Sequence, residues 1–220
     1  MTSAQPTPGT APPLAALLLA GGRSRRMQRD KALVEYDGES QLARAWRTVA
    51  GVVPDAYLSI RLDQADDPVR AAYPRMVDRD AELGPAAGLL AAFATRPTHA
   101  WLVVAIDLPL LDRHTLEHLL AARDPAKLAT AYTSTHDGLP EPLCAIWEPT
   151  AHAALRSFVA GGRHCPRKFL LNHAARLVPP AATNALDNVN TPEEYAAVRA
   201  RLAGGAASPR AAATSATENP

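Results

Sequence analysis

A chain of 220 residues with 23 basic and 22 acidic side chains has a formal net charge of +1. That balance excludes a general nucleic-acid binder, which needs a basic excess over a whole face. No apolar run reaches the ~18 residues of a membrane span, and the polar, proline-rich opening MTSAQPTPGTAPP lacks the basic and apolar regions of a signal peptide. Cys144 and Cys165 show neither CxxC nor metal-ligand spacing and read as reduced thiols of a cytoplasmic protein.

Residues 1–12 are rich in Pro, Thr and Ala, and residues 203–220 hold no large apolar side chain, so both ends are expected to be disordered. Residues 13–202 form one domain. LAALLLA (14–20) is a continuous apolar run, as in a strand buried on both faces. Ser40 caps a helix in which Leu42, Ala45, Trp46 and Val49 share a face. DAYLSI (55–60) and the short RMV (75–77) read as strands, PAAGLLAAFAT (85–95) as a helix, and AWLVVAI (100–106) as the strongest strand. Asp112 caps the next helix, which carries Leu116, Leu119 and Leu120. LATAYT and LCAIW flank the turn-rich HDGLPEP, which predicts an antiparallel element. TAHAALRSFVAG and PRKFLLNHA read as helices. The last helix opens with a capping box, Thr191 as N-cap, Pro192 at N1 and Glu194 at N3. Strand–helix alternation with buried strands predicts an α/β fold: three Rossmann-like layers around a mostly parallel central sheet with a small antiparallel element. Ligands of such sheets bind beyond the carboxyl ends of the strands, here just after Ala20, Val77 and Ile106.

Gly21 and Gly22 follow the first strand, and Arg23, Arg25, Arg26, Arg29 and Lys31 follow the glycines. Exposed amides beside clustered cations make a polyanion site; a glycine turn with a solvated basic loop would look the same. Neither GxxxxGK[ST] nor GxGxxG is present. Asp107 directly follows a buried strand, where a carboxylate beside phosphates suits Mg²⁺. Asp78, at the end of RMVD, is a further candidate at that edge or a plain loop carboxylate. Asn188 and Asn190 precede the last helix as turn formers or as acceptors near a metal. His114 and His118 share a helix face without an HExxH pattern and read as surface residues.

LAGGRSRRMQRDKAL, GPAAGLL, AIDLPLL and NVNTPEEY occur in the order and spacing of the molybdenum cofactor guanylyltransferases. From about residue 14 to 202 the chain resembles that MobA-like family of nucleotidyltransferases. The resemblance implies that Leu19, Ala20, Gly21 and Gly22 hold the nucleotide through their backbone, with Asp78 nearby. It implies that Lys31 neutralises the α- and β-phosphates, Arg26 contacts the departing pyrophosphate, and Asp107 holds Mg²⁺. Asn188 and Asn190 would lie near the pterin substrate and the metal. Arg163 and Lys168, in GGRHCPRKFL after a second glycine pair, are further expected contacts of the pterin phosphate.

The implied reaction is attack by the terminal phosphate of molybdopterin on the α-phosphorus of GTP. The attacking group is already an anion, so the barrier to overcome is repulsion between polyanions, and no strong general base is needed. Other cofactor-assembly proteins and recipient molybdoenzymes are implied partners. Two departures stand out: Gln28 replaces the family's usual glycine after RM, and Ser59 and Arg61 stand where the family often has a base-reading asparagine. A cytidylyl- or sugar-phosphate nucleotidyltransferase on the same scaffold, or a nucleotide-binding module without catalysis, remain alternatives.

Overall fold

The computed structural model describes residues 11–22, 30–78, 80–182 and 184–205. In chain order the elements are β1 (Leu14–Leu19), a one-turn helix (Lys31–Leu33), β2 (Glu35–Tyr36), β3 (Glu39–Ser40), α1 (Gln41–Ala50), β4 (Ala56–Arg61), α2 (Pro68–Ala71) and β5 (Arg75–Asp78). They continue with α3 (Pro85–Thr95), β6 (Ala100–Ala105), α4 (Arg113–Ala121), β7 (Ala129–Thr133), β8 (Pro140–Trp147), α5 (Ala151–Ala160), α6 (Pro166–Leu171), β9 (Ala175–Val178) and α7 (Pro192–Gly205). The segments expected to be disordered fall mostly outside the described residues. Within them, the Pro12 carbonyl accepts from Arg123 and α7 runs on to Gly205.

Seven strands make one sheet in the order β5-β4-β1-β6-β8-β7-β9, and β2 and β3 form a separate hairpin. β5, β4, β1 and β6 are parallel neighbours. β8 alone runs the other way, antiparallel to both β6 and β7, and β9 is parallel to β7. All strands except β8 therefore end at one edge, where Leu19, Arg61, Asp78 and Ala105 lie in neighbouring rows.

The period-2 alternation of β1 divides its side chains between two cores. Ala16 and Leu18 pack with Leu42, Val49, Leu58, Leu102 and Leu116, under α1 and α4. Ala15 and Leu17 pack with Leu89, Phe93, Trp101, Trp147 and Phe169, under α3, α5 and α6. Both faces are thus covered, and the central strands are apolar throughout rather than alternating.

Two segments differ from the sequence reading. PRKFLLNHA is not one helix: α6 stops at Leu171, and the chain turns into the edge strand β9. Asn172 and His173 end the helix, Asn172 donating to the Lys168 carbonyl at 2.6 Å and His173 lying 2.8 Å from the Phe169 carbonyl. Their side chains compete with the helical backbone for those acceptors. VEYDGES adds the unforeseen hairpin, whose turn residues Asp37 (φ 52°) and Gly38 (φ 78°) both occupy the left-handed region. His118 is also more than a surface residue: its Nδ1 lies 3.1 Å from the buried Tyr132 hydroxyl.

Candidate active site

The diglycine bend is built into the sheet edge. The Ala20 amide donates to the Ser59 carbonyl at 2.9 Å, which carries the β1–β4 pairing one residue past the strand. A Cβ at Gly21 would stand 3.2 Å from Arg61 Cγ and 3.3 Å from the Arg61 amide nitrogen, so this close approach favours glycine. Arg61 crosses the bend, donating from Nη1 to the Gly21 carbonyl and from Nε and Nη2 to Asp63 at 2.9 Å each. Arg23, Arg25, Arg26, Gln28 and Arg29 lie outside the described residues.

Lys31 is the meeting point of three distant segments. Its Nζ donates to Asp107 Oδ2 at 2.9 Å and to Asn190 Oδ1 at 2.7 Å. Asp30 caps the one-turn helix that carries it, accepting from the Ala32 amide at 3.0 Å. Asp107 leaves the end of β6 with its backbone tied on both sides. The buried Gln41 side chain donates to the Ile106 carbonyl at 2.7 Å, and the Val189 amide donates to the Asp107 carbonyl at 3.1 Å. Asn190 is set by the cap of α7. Glu194 accepts from the Asn190 amide at 2.6 Å and the Thr191 amide at 3.1 Å, and the Thr191 hydroxyl accepts from the Glu194 amide at 3.2 Å. The capping box read from the sequence thus also positions a site residue.

Asp78 closes β5 on the other side of the bend. It is 7% exposed, and its Oδ1 is buried without a hydrogen-bond partner. Burial raises its pKa above the ordinary aspartate value, against the lowering pull of the Arg61 charge and of a hydrogen bond with Ser59. Behind Ser59, Gly88 of α3 comes so close that a Cβ there would stand 2.4 Å from Ser59 Oγ and 2.9 Å from Leu19 Cδ2.

Past Asp107, a cavity of about 460 Å³ opens between the start of α3, the β6 end, β8 and the start of α6. Its polar lining includes Glu82, Asp107, Glu141, His164, Arg167 and Asn188. The structure thereby brings Lys31, Asp107, Asn188 and Asn190 to one place. Of the basic residues proposed for this side, Arg163 lies over the Phe158 ring at 4.4 Å and Lys168 is exposed on α6. The cation facing the cavity is Arg167, which pairs with Asp137 and Glu141 at 2.9 Å each. Both cysteines are free and both line this cavity; burial pushes the Cys144 thiol up to about 12.

The donor set suits a hard cation brought in by phosphates. Among the described residues no group of three or more His, Cys, Asp or Glu side chains could hold a metal alone. Asp107 nevertheless offers one carboxylate at the strand edge, and Mg²⁺ typically takes one or two carboxylates with phosphate oxygens and water. Also among the described residues, no helix is long and apolar enough to cross a membrane.

Comparisons with known proteins give the family and the fold. A family model described as a MobA-like NTP transferase domain matches residues 16–177. The chain is 36% identical to a molybdenum cofactor guanylyltransferase of Pseudomonas putida, over 84% of this chain and 97% of that protein. It is 34% identical to a molybdenum cofactor biosynthesis bifunctional protein of Synechocystis sp. over 83% of this chain, but spans only 53% of that protein's length. The fold matches molybdopterin-guanine dinucleotide biosynthesis protein A from Archaeoglobus fulgidus with a TM-score of 0.73 at 19% identity, covering 86% of this chain and 99% of that one.

Proposed function

The chain belongs to the MobA-like NTP transferase family, and from that premise we propose that it transfers GMP from GTP to the terminal phosphate of molybdopterin, releasing pyrophosphate. The observation that carries the reading is the position of Lys31 Nζ, held between Asp107 and Asn190.

In this reading Leu19, Ala20, Gly21 and Gly22 receive the nucleotide along their backbone, and Asp78 lies on the base and ribose side. Arg26 meets the departing pyrophosphate. Asn188, which lines the cavity, and Asn190 lie toward the acceptor. Arg163 and Lys168 remain contacts of its phosphate, and Arg167, which also lines the cavity, joins them. Asp107 would hold Mg²⁺, which when bound supplies charge neutralisation across the phosphates.

The residues perform the transfer by position and charge. The acceptor phosphate oxygen forms a bond to the α-phosphorus as the bond to pyrophosphate breaks. Lys31 donates hydrogen bonds to phosphate oxygens on this path, exchanging part of its contact with Asp107 and Asn190 for them. Its ammonium offsets the repulsion between two anions, and charge stabilisation of this kind contributes about 3–4 kcal/mol in comparable sites. A cytoplasmic location and Mg²⁺ dependence belong to the same proposal.

A melting-temperature panel with GTP, CTP, ATP and UTP, each with Mg²⁺, tests the nucleotide side. A ligand at 100 times its Kd stabilises the native state by about 2.7 kcal/mol. GTP is expected to raise the melting temperature well above the other three. An equal or larger rise with CTP would move the chain to the cytidylyl branch, and no rise with any nucleotide would overturn the reading.

A further inference from the structure

A buried arginine ties the end of β1 to the turn that carries Lys31, and we propose that Arg70 is a positioning residue that fixes Lys31 through Asp30. This rests on the function proposed above. Arg70 belongs to the short helix α2, between β4 and β5, and is 1% exposed. Its Nη1 donates to Asp67 on its own helix cap. Its Nη2 donates to both oxygens of Asp30, at 2.9 and 2.7 Å, and lies 3.5 Å from the Ala20 carbonyl. Ala20 is the residue before the diglycine, and Asp30 is the residue before Lys31. One guanidinium therefore touches both the end of β1 and the residue before Lys31.

The link from Arg70 to the ammonium is continuous. Asp30 Oδ1 accepts from Arg70 and also from the Ala32 amide, so the same carboxylate is anchored below and caps the turn that carries Lys31 above. The Lys31 side chain then spans from that turn to Asp107 and Asn190. Lysine is a point charge on a flexible four-carbon stem, so the place of its Nζ depends on how firmly its backbone is held. A planar guanidinium can engage two carboxylates and a carbonyl at once, which an ammonium or an apolar side chain cannot. A buried ion pair is weak evidence for stability, since well-packed apolar groups often do as well. What distinguishes this one is its address, next to the residue that joins three distant segments.

The test is a double-mutant cycle read in turnover. Steady-state pyrophosphate release from GTP and molybdopterin is measured for the full chain, for Arg70→Met, Lys31→Ala and the double variant, and for Asp30→Asn, with melting temperatures alongside. Arg70→Met and Asp30→Asn are each expected to lower kcat by about 10- to 100-fold, the scale of a misplaced catalytic group. Arg70→Lys is expected to restore only part of the loss. With Lys31 already replaced by alanine, adding Arg70→Met should change kcat by less than about 3-fold, because the residue through which it acts is gone. A purely structural role would lower the melting temperature equally in both backgrounds and would carry its full effect on kcat into the Lys31→Ala background; that result overturns the proposal. Wild-type kcat in Asp30→Asn also overturns it, and this variant answers the question if Arg70→Met fails to fold. If Lys31→Ala itself turns over normally, the functional reading of Lys31 fails first, an outcome distinct from the other two.

Discussion

Asp78 holds a carboxylate in a place that disfavours its charge. Burial raises its pKa, so the folded state retains a proton that the unfolded chain has already lost. Stability therefore falls as pH rises from the ordinary aspartate value through the raised one, and above that window the ionised group is a standing cost. Asp78→Asn is expected to raise the melting temperature at pH 7, and the gain should vanish near pH 3, where the carboxyl is protonated in both states. The same variant should bind GTP more weakly, as expected where function is bought with stability. A lower melting temperature at pH 7 would show that the charge is satisfied in place. For Lys31, replacement by alanine should lower pyrophosphate release by about 100-fold, comparable to losing one oriented donor to developing charge, with the melting temperature changed little. Asp107 was legible in the sequence because it follows an unmistakable apolar strand, and Lys31 because it ends a run of cations behind the diglycine in a stretch that resembles the family's. Arg70 was not: in ADDPVRAAY it has the pattern of a charge on a solvated helix, and only the folded position of Asp30 shows what it holds.

Among the elements, α7 and α3 show how ordinary helix chemistry sets a site. Glu194 accepts from two amides at the start of α7, one of them that of Asn190. Glu194→Ala should cost about 1 kcal/mol of stability, the usual scale of a lost cap, and should also lower turnover because Asn190 loses its anchor. A stability loss with unchanged turnover would separate the cap from the site. In α3, Gly88→Ala would press a methyl group onto Ser59 and Leu19. The expected cost is about 1–3 kcal/mol of overpacking, with weaker GTP binding as β4 and β1 shift at the bend. Strand–helix alternation and the caps at Ser40, Asp112 and Thr191 could be read directly, since they rest on local periodicity and side-chain hydrogen bonds. β9 could not: ARLV is four residues long and only its pairing with β7 makes it a strand. The Asp37–Gly38 turn did carry a hairpin signal, but its flanking strands of two residues each were too short to show alternation.

For the whole molecule, sheet order is what turns scattered motifs into one site. β1 lies between β4 and β6, so the diglycine bend falls between the ends that carry Arg61 and Asp107, with Asp78 one strand further out. The antiparallel β8 then crosses beside β6 and forms a wall of the cavity past Asp107. The Lys31–Asp107 pair thus stands between the diglycine end of β1 and this cavity, and under the proposed function the nucleotide occupies the first side and the acceptor the second. The most direct test is pyrophosphate release by the full chain supplied with GTP, Mg²⁺ and molybdopterin, run beside identical mixtures lacking molybdopterin or carrying CTP. The account predicts release only in the complete GTP mixture, one pyrophosphate for each molybdopterin consumed. Release that ignores molybdopterin, or that proceeds equally with CTP, would contradict it.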